Sequence, residues 1–552
     1  LATLSLLLVG ADECTSTPRP SPIELISPYR QIDPNLVDPI DGEPSFEYRN
    51  IDGTGNHPVH YELGAANTTL RRIMPQVYDD RISTMAGPNR PSPREVSNVV
   101  CDEEVRTPDP LGASDFLWQW GQFVDHDIDL TEQHEPFEPA HIRPETGDPF
   151  FDPDSTGLAQ IDFFRSRSHP GTGTSTTYPR QQMNMITHYL DGSTVYGSDP
   201  VRAAALRTND GTGRLEVSAG NLLPFNTQGL HNAGGTSSEL FLAGDIRANE
   251  QLGLTAMHTL FVREHNRVAA EIAASDPSLS GDEIYNRARR FVGALIQGIT
   301  YNEFLPALMG PDPLAPYTGY KETVSPAIAN CFSTVAYRFG HSAVSPTLLR
   351  LDANGQPIPF GNLSLKDAFF VPQRLINEGG IEPLLRGLAA QTMSKIDVRV
   401  VDPLRNFLFG DPTAGGLDLV SLNIQRGRDH GMPEYTLARR ARGLDWPTSF
   451  AGVGSDPEVQ SLLAAVYPDV NSIDMWVGAL AEDPVNGGHV GALIFNILKL
   501  QFEALRDGDR YWYQWDMTAS EIAEIDNTTL ADVIRRNTNI GTEISDDVFH
   551  VN

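Results

Sequence analysis

Asp125-His126-Asp127-Ile128-Asp129 puts four ionisable side chains into five positions, at the end of an aromatic-rich apolar run that begins at Asp115. On a helix, Gln122 and His126 lie four apart and share a face, and Asp125 joins its edge. Asp127 is turned about 100° away from His126 and faces elsewhere. An imidazole in such company can carry protons near neutral pH. A helix C-terminus whose acids meet solvent would have the same composition, so this stretch alone leaves both readings open.

A second set, Thr187-His188-Tyr189-Leu190-Asp191-Gly192-Ser193, has the chemistry of a hard cation site. Thr187, Tyr189, Asp191 and Ser193 alternate, so in an extended loop their hydroxyl, carbonyl and carboxylate oxygens converge. With the Asp127 carboxylate and carbonyl added, the set falls within the roughly six to eight oxygens that Ca²⁺ takes. Asp-Gly-Ser is also an ordinary turn, and the reading depends on this loop meeting the first helix. Three more polar groups stand out. Arg247 and Glu250, three apart ahead of a long helix, could be a surface ion pair of little worth. His341 follows an apolar helical run, where a histidine is usually core or cap. Ser421 to Gly431 reads as a polar loop between apolar segments.

The elements that must position these groups are mostly helical. Apolar residues recur at three- and four-residue spacing over 112–131, 252–274 and 282–305, then over 324–340, 366–390, 432–442, 457–465, 490–507 and 519–534. Alternating strand patterns are few and short. Long Pro-, Gly- and Asp-rich stretches lie between, notably over 132–180. The expected fold is mainly α: one large helical domain with long irregular loops and very little β. Within it, residues 1–20 read as a signal remnant and linker, 21–110 as a loop-rich N-terminal arm packed on the body, and 111–552 as the helical body. The 552 residues carry a formal charge of −31 with 40% hydrophobic content, enough for a large core and adverse to nucleic acid or anionic membranes. Leu1 to Gly10 resembles the apolar core of a secretory signal, and no other apolar run has membrane-spanning length. Three cysteines exclude a disulfide-dense framework; a Cys101–Cys331 pair is left open. Asn67, Asn362 and Asn527 head glycosylation sequons, a number near chance for this length.

In their order along the chain these groups resemble the animal-type haem peroxidases of the peroxidase–cyclooxygenase superfamily. The likeness spans residues 45 to 540. It rests on Gln122-x-x-Asp125-His126-Asp127, the oxygen-rich loop, Arg247-x-x-Glu250, His341 and Leu422-Asn423-x-Gln425-Arg426. Tyr48 to Asn56, Arg263 to Arg267 and Leu505 to Tyr513 add to it. The resemblance implies haem b and Ca²⁺ as cofactors, with peroxide and a small electron donor as partners. It makes His126 the distal histidine, with Gln122 and Arg247 beside it. His341 becomes the proximal iron ligand, and Asn423 the acceptor for its other ring nitrogen. Asp125 and Glu250 match the carboxylates that form ester links to haem, and Arg338, Asp129 and Thr131 match propionate contacts. Asp127, Thr187, Tyr189, Asp191 and Ser193 match the calcium ligands. The implied activity is reduction of H2O2 through an Fe(IV)-oxo intermediate, oxidising bromide, iodide, thiocyanate or phenols, in an exported protein.

Two departures narrow this. Gln251 stands where the chloride-oxidising member has a sulfonium-forming methionine, which puts chloride oxidation in doubt. Arg338 stands where the cyclooxygenase branch has its radical tyrosine, with Tyr337 one further back. Fatty-acid oxygenation is therefore the alternative, together with an adhesion or matrix protein that keeps the fold. His258, His265 and His430 are expected to be packing or hydrogen-bonding residues, and His188 to point away from the ion.

Overall fold

A computed structural model describes residues 48–103 and 105–551. The signal-like Leu1–Gly10, Cys14 and residues 21–47 of the expected arm lie outside the described residues. The helix Phe116–Ile128 runs through the middle of the body. Phe116, Leu117, Trp120, Phe123 and Val124 are all fully buried, so this helix is apolar on nearly every side, as a central helix must be. Trp120 packs against Phe123, Phe261 and Phe549, with ring centroids 5.6, 5.6 and 6.5 Å away. Its indole N–H donates to Thr300 Oγ1 at 3.2 Å.

Two long helices, Leu252–Ser275 and Gly281–Ile299, pack on each other, and the first also packs on the central helix. Each starts on a side-chain cap: the Gln251 amide oxygen accepts from Gly253 N–H, and the Ser280 hydroxyl accepts from Glu283 N–H. A π-helical turn, Thr300–Phe304, and the helix Leu305–Met309 extend the second. The strand content among the described residues is slight, as expected. Thr68–Thr69 pairs antiparallel with Met183–Asn184, and Thr347–Leu348 with Leu363–Ser364. Both ends of the described chain return to the body. Arg49 pairs with Asp509, and Asn56 Nδ2 donates to the same carboxylate at 2.8 Å. Near the C-terminus, Phe549 O accepts from Ser114 N–H at 2.8 Å, buttressing the start of the central helix.

Several expected elements are broken where the site needs them to turn. The helix expected over 324–340 is a short turn, Asn330–Thr334, then a 3-10 turn, Ala336–Phe339, then Gly340–Ala343. The break is at Val335, whose φ of −129° is not helical. The 366–390 pattern splits at Gly379 and Gly380, both at positive φ. The 519–534 pattern is two helices, each opened by a capping box, Thr518 with Glu521 and Thr529 with Asp532. The stretch expected to be a polar loop is instead the helix Leu419–Asp429, started by the Asp418 carboxylate accepting from the Val420 and Ser421 N–H groups. Cys101 and Cys331 are both buried free thiols, so the open pairing is not made. Among the described residues no helix is long and apolar enough to cross a membrane.

Candidate active site

His126 sits in the last turn of the central helix, 4% exposed. Its Nδ1 is 3.5 Å from Asp245 Oδ1. Asp245 also takes the Arg247 guanidinium on both oxygens, from Nε and Nη2 at 2.9 Å each. Arg247 Nη2 donates to Asp129 O at 2.8 Å, and Nη1 lies 3.6 Å from Asp125 Oδ2. Gln122 Nε2 donates to Glu250 Oε2 at 3.4 Å, and Gln251 Nε2 to Gln122 Oε1 at 3.1 Å. Arg247 and Glu250 are therefore not a surface pair; both turn inward around the end of the central helix. Burial, then the neighbouring Arg247, hold the His126 imidazole well below its ordinary pKa, so it is neutral. Burial pushes Glu250 up to about 7 against the pull of Arg247. Burial, then Asp129, push Asp125 up as well.

The Val335 break and the 3-10 turn after it aim Arg338 and His341 toward the helix Leu419–Asp429. His341 Nδ1 meets Asn423 Nδ2 at 2.7 Å, while Asn423 Oδ1 accepts from Arg338 Nη1 at 2.9 Å. Arg338 Nε donates to Ser333 O at 2.9 Å. Burial, then Arg338, lower the His341 pKa to about 3. The amide thus stands the other way round from the expected acceptor: Arg338 holds its carbonyl, and its N–H2 faces the ring. For the carbonyl to receive an imidazole N–H, the amide must turn over and Arg338 must find another acceptor. Arg426, three residues from Asn423 on the same helix, was not anticipated. Burial lowers its pKa to about 10 even with Asp429 beside it, and burial lowers Arg338 too despite Asp129 and Asp125.

The two groups are neighbours: the central helix packs on the short helix Gly340–Ala343 that carries His341, and Arg338 feels Asp129, Asp125 and Arg247. Gln122, Asp125, Arg247, Glu250, Arg338, His341 and Arg426 are each partly accessible within a wall of buried residues. Asp129 Oδ1 and Thr131 Oγ1 are buried with no hydrogen-bond partner. This donor set fits haem. Neutral imidazoles are the form that binds iron. Two guanidiniums short of negative charge suit a pair of propionates.

The oxygen-rich loop does meet the central helix. Asp127 Oδ2 accepts from the N–H groups of Asp191 and Gly192 at 2.9 and 3.1 Å, and Oδ1 from Thr194 N–H at 2.8 Å. Ser193 Oγ donates to Asp127 O at 2.7 Å, and Thr187 Oγ1 to Ser193 Oγ at 3.3 Å. The loop is extended only as far as Gly192, whose φ of 80° turns it into the short helix Ser193–Tyr196. Asp191 Oδ2 is buried without a partner. Burial, then the facing Asp191, raise the Asp127 pKa. Two crowded carboxylates with hydroxyls and carbonyls around them fit a hard cation. The Tyr189 phenol donates to Leu63 O, away from the cluster. His188 is likewise engaged elsewhere, with Thr68 and with Ile328 N–H. His265 bonds Tyr196, and His430 is held by Ser166, Thr334 and Asn330.

A helical body with a buried histidine–arginine pair at the end of its central helix and a histidine–asparagine pair on a neighbouring element has the residues of the haem peroxidase class. The animal haem peroxidase family model matches residues 48–549, and the chain belongs to that family. It is 38% identical to the peroxidasin homolog of Mus musculus over 92% of this chain and 37% of that protein. It is also 38% identical to thyroid peroxidase of Mus musculus, over 92% of this chain and 61% of the relative. The chain thus spans less than two thirds of either protein. Peroxidase A from Dictyostelium discoideum superposes with a TM-score of 0.85 at 33% identity, covering 92% of this chain and all of the other. A fatty acid alpha-dioxygenase of Arabidopsis thaliana shares the fold alone, with a TM-score of 0.79 at 21% identity over 94% of this chain and 85% of that one.

Proposed function

We propose that this chain is a haem-dependent peroxidase that reduces H2O2 and oxidises bromide, iodide, thiocyanate or small phenols. The observation that carries the reading is that Arg338, bonded to the Asn423 amide that meets His341, also faces Asp129, Asp125 and Arg247 beside His126. Haem bound there by His341, with Arg338, Arg426, Asp129 and Thr131 toward its propionates, would supply the iron redox centre at which the peroxide O–O bond breaks. The residues do the rest. The neutral His126 ring, its Nδ1 side turned to Asp245, offers Nε2 to take a proton from one peroxide oxygen and return it to the other. The Arg247 guanidinium, fixed before the reaction, stabilises charge on the departing oxygen in a site shielded from water. Asp125 and Glu250 are the candidates for ester links to haem, a bond whose formation would need peroxide to oxidise a haem methyl group. The Asp127–Ser193 cluster is the candidate Ca²⁺ site, and it holds the helix end next to His126.

The distal surroundings favour small polar donors. Gln122, Glu250 and Gln251 crowd this side, whereas a fatty acyl chain would need apolar walls. Gln251 is committed to Gly253 N–H, Gln119 and Gln122 and supplies no thioether, which disfavours chloride. Asn67, Asn362 and Asn527 are all exposed, in keeping with export through a glycosylating compartment.

The experiment is direct. His341→Ala should lose the Soret band and peroxide-dependent bromide or guaiacol oxidation together; retention of both would end the reading. Asp125→Val combined with Glu250→Gln should let acid–organic solvent extract haem that the parent protein retains. Unchanged extraction would remove the ester assignment while leaving the rest intact.

A further inference from the structure

Three basic groups converge on one buried carboxylate that the motifs did not single out. The Asp245 side chain is 1% exposed. It takes Arg247 Nε and Nη2 on its two oxygens, and the Arg247 backbone N–H at 2.8 Å. Its Oδ1 is also 3.5 Å from His126 Nδ1. His258, fully buried on the Leu252–Ser275 helix with neither ring nitrogen hydrogen-bonded, lies within its electrostatic reach. The backbone of Asp245 is pinned in turn. Its N–H donates to Thr194 O at 3.1 Å. The preceding Gly244 packs so closely that an added Cβ would lie 2.4 Å from Ser193 O. A carboxylate that only neutralised Arg247 could sit anywhere around the guanidinium. This one is held by the oxygen-rich loop, takes the whole Nε–Nη2 edge of the fork, and approaches the imidazole on the ring edge away from Nε2.

We infer that Asp245 is the positioning residue of the distal side: it sets the direction of the Arg247 guanidinium and the ring orientation of His126, and it ties both to the Thr187–Ser193 loop. The inference rests on the peroxidase reading above, since only there do those two orientations matter. Carboxylates that orient a ligand-facing histidine or arginine through such contacts contribute about 10- to 100-fold in affinity or activity. The Asp127–His126 adjacency and the Thr194–Asp245 contact would then be two separate routes from one loop to the two distal groups.

The test uses haem-loaded protein carrying Asp245→Asn or Asp245→Glu. Cyanide is titrated optically as the probe of distal hydrogen bonding, kcat and KM for peroxide are measured separately, and haem content and Tm are recorded for each variant. Asn keeps the size, removes the charge and turns an N–H2 toward Arg247. It should weaken cyanide about 10- to 100-fold in the haem-loaded fraction and lower kcat. Glu keeps the charge one methylene further out and should fall between Asn and the parent. A merely structural role would lower haem content and Tm while the loaded fraction keeps the parent's cyanide affinity and kcat, and that result overturns the proposal. Should Asn yield no holoprotein, the Glu variant decides alone: parental cyanide affinity overturns, weakened affinity supports. A parent protein that retains no haem would sink the peroxidase reading itself, whatever the variants do.

Discussion

Asp191→Asn should have opposite effects with and without calcium. Asp127 and Asp191 are 0% and 3% exposed, and Asp191 Oδ2 has no partner. Burial first, and for Asp127 the facing Asp191 next, raise both carboxyls above their ordinary range. The calcium-free folded state therefore holds more protons than the unfolded chain. Its stability is greatest below the unfolded carboxylate pKa and is lost as pH rises through the raised folded values. Calcium competes with those protons and should flatten that slope near neutral pH. At a free calcium concentration about 100 times Kd, a single site stabilises by roughly 2.7 kcal/mol. A chain of this size unfolds with an entropy of about 1 kcal/mol/K, so the expected rise in Tm is about 2–3 °C. Removing one of the two facing charges should abolish most of that rise. It should also raise the Tm of the chelated protein, by about 1 °C for each pKa unit of repulsion relieved. Differential scanning fluorimetry of parent and variant, with calcium and with chelator across pH 5–8, reads all of this. Identical melting in calcium and chelator for the parent, or a variant whose calcium response is undiminished, would refute the assignment.

Two further outcomes follow from the packing. Asp474 is engaged by Arg428 at 3.0 and 2.7 Å, by Arg90 at 2.9 Å and by the Tyr467 hydroxyl at 3.0 Å. Burial alone would raise its pKa, but Arg428 and Arg90 outweigh it and bring it down to about 2 from 3.8. That depression contributes on the order of 2 kcal/mol above the unfolded pKa, lost as pH falls from about 4 toward 2. Asp474→Asn should therefore flatten this part of the acid-unfolding profile, and an unchanged profile would count against it. Trp120→Ala empties the centre of the Phe123, Phe261 and Phe549 cluster and should cost about 3–5 kcal/mol in chemical denaturation. A loss under about 1 kcal/mol would mean that the cluster repacks freely.

Local spacing made much of the candidate site legible. Gln122, Asp125, His126 and Asp127 are neighbours on one helix, so the i, i+3 and i, i+4 geometry places them without any tertiary information. The same holds for the alternating oxygens from Thr187 to Ser193 and for the long helices, whose apolar period survives over several turns. Where pattern and outcome parted, the cause was long-range. Leu419–Asp429 looked like a loop because its polar residues serve the site and a cap rather than solvent. Residues 324–340 looked like one helix because the pattern does not register the break at Val335, which turns Arg338 and His341 toward Asn423.

Residue types and their order along the chain determined which groups are candidates for chemistry: two histidines, two arginines and a set of acids. Only the tertiary structure decided how they are paired. Asp245 is two residues from Arg247, yet its contact with His126 spans more than a hundred positions. Arg338 and Arg426 come from different helices, yet each feels the other's charge. Asn423 gives its carbonyl to Arg338 rather than to His341. Such choices depend on which charges share a buried space, and a one-dimensional pattern carries no distance between segments that the fold brings together.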